Sequence, residues 1–151
     1  DYDDDDDSNT SLFRECGMHI HLSKSAFSNA HLYKFVKFFA EYPKYIEMIA
    51  ERYANNYCYT ETKSQIKQKA LTKYSEERYE QINCQNESTI EVRCFQGVYN
   101  KYKWLKNLEF VYSLFIFTKD NRLLNITKEK YEEFLKENKS TFQNLCRFLC
   151  L

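Results

Sequence analysis

The sequence predicts an α+β fold, a small antiparallel sheet with helices packed on one face, from three observations. Two segments, 17–23 and 88–95, alternate polar and apolar residues with the two-residue period of a strand. Several longer segments place apolar residues at helical spacing behind a capping Ser, Thr or Asn. With 2 Gly and 1 Pro against 13 Tyr and 12 Phe, the composition favours regular elements and short polar turns around an aromatic core. At 151 residues the chain is one domain by length, and a domain of that size buries about 70% of the surface its unfolded chain exposes, enough for a core without disulfide staples.

The elements follow in order. In the first strand His19, His21 and Ser23 share one side, and Met18, Ile20 and Leu22 the other. Ser28 then caps a helix whose Leu32, Phe35, Val36 and Phe39 form an apolar stripe, ended by Pro43. A second helix is expected over 44–53 on Tyr45, Ile46, Ile49 and Tyr53. Residues 55–73 are polar without a clear period and read as a mobile loop, with a partly helical stretch as the alternative. The segments 78–85 and 88–95 read as a hairpin around the turn-forming Asn86-Glu87, with Glu91 and Arg93 on one side and Ile90, Val92 and Cys94 on the other. Asn100 caps the most apolar helix, 102–118, with Leu105, Leu108, Val111, Tyr112 and Phe115 toward the core. Thr127 caps a helix over 128–137 on Tyr131, Phe134 and Leu135, and Ser140 or Thr141 begins the last, through Phe142, Leu145, Phe148 and Leu149. There is no internal repeat.

Charge is balanced overall but uneven along the chain, with 22 basic and 22 acidic residues. Six Asp (Asp1 and Asp3 to Asp7) open it, and without them 16 acidic residues face 22 basic ones, a body of +6. Like charges repel and bury nothing, so residues 1–15 are expected to form a disordered acidic arm before a single domain over 16–151. A cation-binding arm or a mimic of nucleic-acid charge are the other readings of the Asp run. The six Cys (Cys16, Cys58, Cys84, Cys94, Cys146, Cys150) include no C-x-x-C pair, and their positions read as buried reduced thiols. Cys146 and Cys150, four apart, suit one helix face and packing more than zinc. No apolar run reaches eighteen residues and there is no signal-peptide pattern, so the expectation is a cytoplasmic protein without a membrane partner. The chain begins on Asp, which reads as a processed or trimmed product.

If the two strands share a sheet, His19, His21, Glu91 and Arg93 line one surface. Imidazole and carboxylate are metal ligands and guanidinium pairs bidentately with oxyanions, so the set suits a divalent cation with a phosphate or carboxylate. A solvated Glu–Arg pair beside two ordinary surface or hydrogen-bonded core histidines fits the same spacing.

Gly17-Met18-His19-Ile20-His21-Leu22-Ser23 resembles the G-x-H-x-H-x-S strand of the glutamine synthetase superfamily, and Ile90-Glu91-Val92-Arg93 its I-E-x-R strand, again followed by a long apolar helix. From Cys16 to about Leu149 the chain is similar to the amidoligase family, carboxylate–amine ligases of bacteria and phage. The shared pieces are the helical Leu32-Tyr33-Lys34-Phe35, an N-x-T-I-E-x-R-like strand over Asn86 to Arg93 that is one residue longer, the turn Phe95-Gln96-Gly97, and the K-N-L-E-F helix at Lys106 to Phe110. The resemblance implies half of a glutamine synthetase-like catalytic domain. It also implies Mg²⁺ held by His19 and Glu91, ATP near His21 and Ser23, and Arg93 on the transferring phosphoryl group or the carboxylate. The implied reaction activates a carboxylate to an acyl phosphate, which an amine converts to an amide; metal and Arg stabilise charge on the phosphoryl oxygens.

Two departures stand beside the matches. The family's acidic E-x-E strand has no counterpart but the Asp run, and its F-R-G turn reads Phe95-Gln96-Gly97, without the cation. The alternatives are an active ligase or its C-terminal portion, with carboxylate and amine substrates, and a non-catalytic ligase-like fold, phage or mobile-element encoded, that binds a protein or nucleoprotein as an inhibitor. Direct nucleic-acid binding through the Lys/Tyr mixture at 99–104 is a third reading, as is the solvated start of an apolar helix there.

Overall fold

The computed structural model describes residues 16–53 and 61–151; the expected acidic arm and residues 54–60, with Cys58, lie outside the described residues. Among the described residues the fold is α+β, with six α-helices and one three-stranded antiparallel sheet. The strands β1 (Gly17–Ser23), β2 (Ile82–Asn83) and β3 (Thr89–Gln96) lie in the order β1-β3-β2. The helices are α1 (Asn29–Glu41), α2 (Pro43–Ala50), α3 (Lys63–Thr72), α4 (Lys101–Asp120), α5 (Lys128–Glu137) and α6 (Gln143–Phe148).

Alternation decides which side of the sheet is buried. Ile20, Ile90, Val92 and Cys94 turn inward, while His19, His21 and Ser23 stay exposed and Glu91 and Arg93 half-buried. The register sets His21 opposite Glu91 and Ile20 opposite Val92, but Met18 opposite Phe95. Between those pairs β3 spends two residues, Arg93 and Cys94, where β1 spends His19 alone. This bulge shifts the phase of β3, which is why consecutive Cys94 and Phe95 are both buried. It also brings Arg93 level with His19.

Ser28 caps α1, its Oγ accepting from His31 N at 3.1 Å, and Leu32, Phe35, Val36 and Phe39 are buried as the spacing predicts. Pro43 opens α2 as well as following α1. The expected extension of α2 to Tyr53 does not occur. Glu51 takes a left-handed conformation (φ 54°) that ends the helix at Ala50, and Tyr53 is 80% exposed. The polar stretch after it, read as a loop with a partly helical alternative, holds α3. Thr62 and Gln65 form a capping box, and Lys69 occupies a core position.

The expected strand over 78–85 shrinks to Ile82–Asn83, because its neighbours are drawn into side-chain bonds that a ladder cannot satisfy at the same time. Glu80 turns in to Lys69, Asn83 Nδ2 donates to Arg78 O at 2.5 Å, and Ser75 Oγ accepts from Cys84 N at 2.8 Å. The turn at 86–88 behaves as expected, Asn86 Oδ1 accepting from Ser88 N and Thr89 N.

In α4 the buried face is Phe110, Val111, Leu114 and Phe117, with Lys106, Asn107, Ser113 and Thr118. Tyr112, expected inward, is 56% exposed, while Leu105, Leu108 and Phe115 are half-buried. From Phe110 to Phe117 the helix is apolar nearly all round, so its inner face is chosen by partners: Phe110 meets Phe39, Phe95 and Tyr131, and Ser113 Oγ shares a 2.6 Å bond with Tyr131 OH. α5 starts after Thr127 with Tyr131 and Leu135 buried, as predicted. The last helix begins later than expected, after Phe142, and buries Leu145 and Cys146. Cys84, Cys94 and Cys146 are buried, but Cys16 and Cys150 are exposed, with Cys150 left-handed beyond the helix and so not on its face with Cys146.

Candidate functional site

The polar face of the sheet gathers three of the five residues singled out in the sequence. His19 Nδ1 lies 2.6 Å from Glu91 Oε1, and Arg93 Nη1 is 3.7 Å from Glu91 Oε2, so one carboxylate stands between an imidazole and a guanidinium. The bulge produces this arrangement by setting Arg93 and His19 at one level on adjacent strands. His21 stands one step along, its Nδ1 3.1 Å from Thr89 Oγ1. Ser23 is at the far end of β1, where its hydroxyl meets Ser25 Oγ at 2.8 Å, outside the His19–Glu91–Arg93 cluster.

Arg52 is the member that sequence reasoning missed. It follows the left-handed turn at Glu51, off the predicted stripe of α2, and its Nη1 donates to Phe95 O at 3.4 Å. A Cβ built on Gly17 would sit 2.6 Å from that Nη1 and 3.3 Å from His19 Nε2, so the glycine makes room for the approach. The one signal for it was Gly17 itself, a residue without a side chain at the start of a strand.

Electrostatics follow the geometry. Burial holds His19 below the ordinary imidazole range; Glu91 pulls the other way, but Arg93, His21 and Arg52 add to the lowering. A neutral ring with Nδ1–H donating to Glu91 leaves Nε2 as an acceptor lone pair, the orientation carboxylates impose on catalytic and ligand histidines. Arg93 is more committed: Nη1 donates to Arg78 O at 3.1 Å, the guanidinium lies 5.7 Å from the Tyr79 ring centre, and its buried Nε has no hydrogen-bond partner.

The face therefore offers two guanidinium groups and a carboxylate-oriented imidazole to an oxyanion. As a metal cage it falls short. Mg²⁺ takes near-octahedral oxygen ligands, whereas His19 supplies nitrogen and both Glu91 oxygens are engaged. Among the described residues no group of three or more His, Cys, Asp or Glu side chains could hold a metal ion. Nor, among them, is any helix long and apolar enough to cross a membrane. Comparison with known protein families, with curated proteins and with solved structures finds no match.

Proposed function

We propose that this chain is an amidoligase-like domain whose open sheet face receives the carboxylate or phosphoryl group of a substrate. The observation that carries the reading is the convergence of His19, Glu91, Arg93 and Arg52 on one polar face, in the strand order of the H-x-H and I-E-x-R motifs. In ATP-dependent carboxylate–amine ligation, the carboxylate attacks the γ-phosphorus of ATP and displaces ADP to give the acyl phosphate, with Arg52 and Arg93 holding the phosphoryl oxygens in transit. Neutral His19, oriented by Glu91, accepts a proton at Nε2 from the attacking amine, and the acyl phosphate loses phosphate as the amide forms. His21 and Ser23 extend the face toward the nucleotide. The described residues do not make a Mg²⁺ site, so the metal ATP requires would need donors beyond them, and no step here runs through it.

A second reading, a ligase-like fold that binds a protein or nucleoprotein partner without catalysis, is favoured by the degree to which the cluster satisfies itself. Glu91 is shared between His19 and Arg93, and Arg93 between Glu91 and Arg78.

Calorimetric titration of the whole chain with Mg²⁺ and a non-hydrolysable ATP analogue separates the two. The ligase reading expects saturable binding that is lost in the His19→Ala, Glu91→Gln double variant while circular dichroism stays unchanged. Absence of binding at millimolar nucleotide rejects it and leaves the partner-binding reading, for which affinity capture follows.

A further inference from the structure

Away from the sheet face, a cavity of about 340 Å³ opens between the first turns of α4 and helix α6. Tyr102, Lys103 and Lys106 line it from α4; Asn144, Arg147 and Phe148 line it from α6. Three cations thus meet in one cleft. Glu51 answers two of them, its Oε1 2.7 Å from Lys103 Nζ and its Oε2 2.9 Å from Lys106 Nζ, which leaves a surplus of positive charge. Among the described residues no carboxylate pairs with Arg147; it donates to the Tyr102 hydroxyl, its guanidinium carbon 4.8 Å from the centre of that ring.

Lys106 is built in, whereas Lys103 and Arg147 stand exposed at the mouth. Lys106 is 2% exposed, its Nζ donating to Ile49 O at 2.5 Å and standing 4.3 Å from the Phe148 ring centre. Burying an ammonium carries a desolvation cost that one shared carboxylate offsets only in part. The neighbouring amides are already oriented: Asn144 Nδ2 donates to Glu109 Oε1 at 2.5 Å, and Asn100 Oδ1 accepts from Tyr102 N and Lys103 N. Because Asn100 caps α4, the helix N-terminus is spoken for, and the attraction for an anion comes from the side chains.

We propose that this cleft is a binding site for a small ligand carrying an oxyanion on a flat ring, an aromatic phosphate or carboxylate. Lys103 and Arg147 meet the oxyanion, the surfaces of Tyr102 and Phe148 take the ring, and Lys106 holds the wall and the positive field. The volume suits a single ring with its substituent, at the lower end of small-molecule pockets. The site is independent of the sheet-face reading, since it uses none of His19, Glu91 or Arg93.

Calorimetric titration of the full chain with phenyl phosphate, benzoate and inorganic phosphate tests it. Phenyl phosphate or benzoate should bind at least tenfold more tightly than inorganic phosphate, the tighter of the two identifying the head group. Lys103→Gln with Arg147→Gln should weaken that binding at least tenfold, and Lys136→Gln, a cation outside the cleft, should not. Phe148→Leu should weaken the ring-bearing ligands and leave inorganic phosphate unchanged. If the double variant melts early, Lys103→Gln alone, at a half-exposed position, carries the test with roughly a threefold loss. Equal affinity for all three anions, or ring-ligand affinity unmoved by the cleft substitutions, overturns the proposal.

Discussion

A histidine inside the core behaves differently from one on the sheet face. His31 is 4% exposed, stacked 4.6 Å from the ring centres of Phe27 and Phe115, with Nε2 at 3.0 Å from Phe115 O and 3.1 Å from Thr118 Oγ1. Burial among these rings lowers its pKa to about 4, against the weaker opposing pull of the Phe115 carbonyl. The unfolded chain therefore takes up a proton near pH 6.5 that the folded chain resists until about pH 4. His31 contributes stability that is complete above pH 6.5 and is lost as pH falls from there toward 4, up to about 3 kcal/mol. Urea unfolding of the wild type against His31→Gln, measured at steps from pH 7.5 to 4.5, should show the wild-type advantage shrinking across that window. A pH-independent difference would contradict the assignment. The sequence showed Leu32 and Phe35 as core positions, but His31 has no such mark; its burial depends on Phe27 and Phe115, which only the fold brings together. His19, though lowered in the same sense, is too open to solvent for a comparable energy.

Among the elements, α3 shows how a core position can hide in a polar sequence. Its buried stripe is Ile66, Lys69 and Ala70, helical spacing in which the central member is charged, so the hydrophobic period is invisible although the Thr62-x-x-Gln65 capping box is in plain view. Lys69 Nζ lies 2.7 Å from both Glu61 Oε1 and Glu80 Oε2 and 2.5 Å from Ile82 O, while Glu61 Oε1 accepts from Ile82 N at 2.9 Å. This cluster ties α3 to β2. Two carboxylates share one ammonium, and burial raises the Glu61 pKa despite Lys69. Removing the cation strands both charges, so Lys69→Met should cost about 3–5 kcal/mol at pH 7, whereas Glu61→Gln, which leaves one carboxylate per ammonium, should cost much less. The Lys69→Met penalty should shrink as pH falls and Glu61, its carboxyl pushed up by burial, takes up a proton. Chemical denaturation of both variants at pH 7 and pH 5 reads this, and a Lys69→Met cost equal at the two values would refute the shared-charge account. The sheet-face residues were easier to find, because strand alternation alone sorts His19, His21, Glu91 and Arg93 to one side. Their exact company was not legible: the bulge that levels Arg93 with His19 and the left-handed turn that delivers Arg52 leave no periodic trace.

At the scale of the molecule, the aromatic residues decide how the helices sit on the sheet. Phe110 is fully buried where α1, β3, α4 and α5 meet, its ring centre 5.9 Å from Phe39, 6.1 Å from Phe95 and 6.3 Å from Tyr131. Two positions along, Tyr112 is more than half exposed, its ring centre 6.2 Å from that of Phe142. Sequence spacing placed Tyr112 on the core side with Leu105, Leu108, Val111 and Phe115, since α4 carries apolar side chains on every side and periodicity cannot rank its faces. Substitution can. Phe110→Ala removes a ring from a packed junction and should cost about 3–5 kcal/mol, while Tyr112→Ala should cost less than about 1 kcal/mol. Because the same rings join sheet and helices, unfolding of the wild type should be one cooperative transition. Far-ultraviolet circular dichroism and the fluorescence of Trp104, the chain's single tryptophan, should then report one midpoint, shifted together by Phe110→Ala. Separate midpoints for the two probes would mean that α4 and the sheet unfold independently, against a shared core through Phe110.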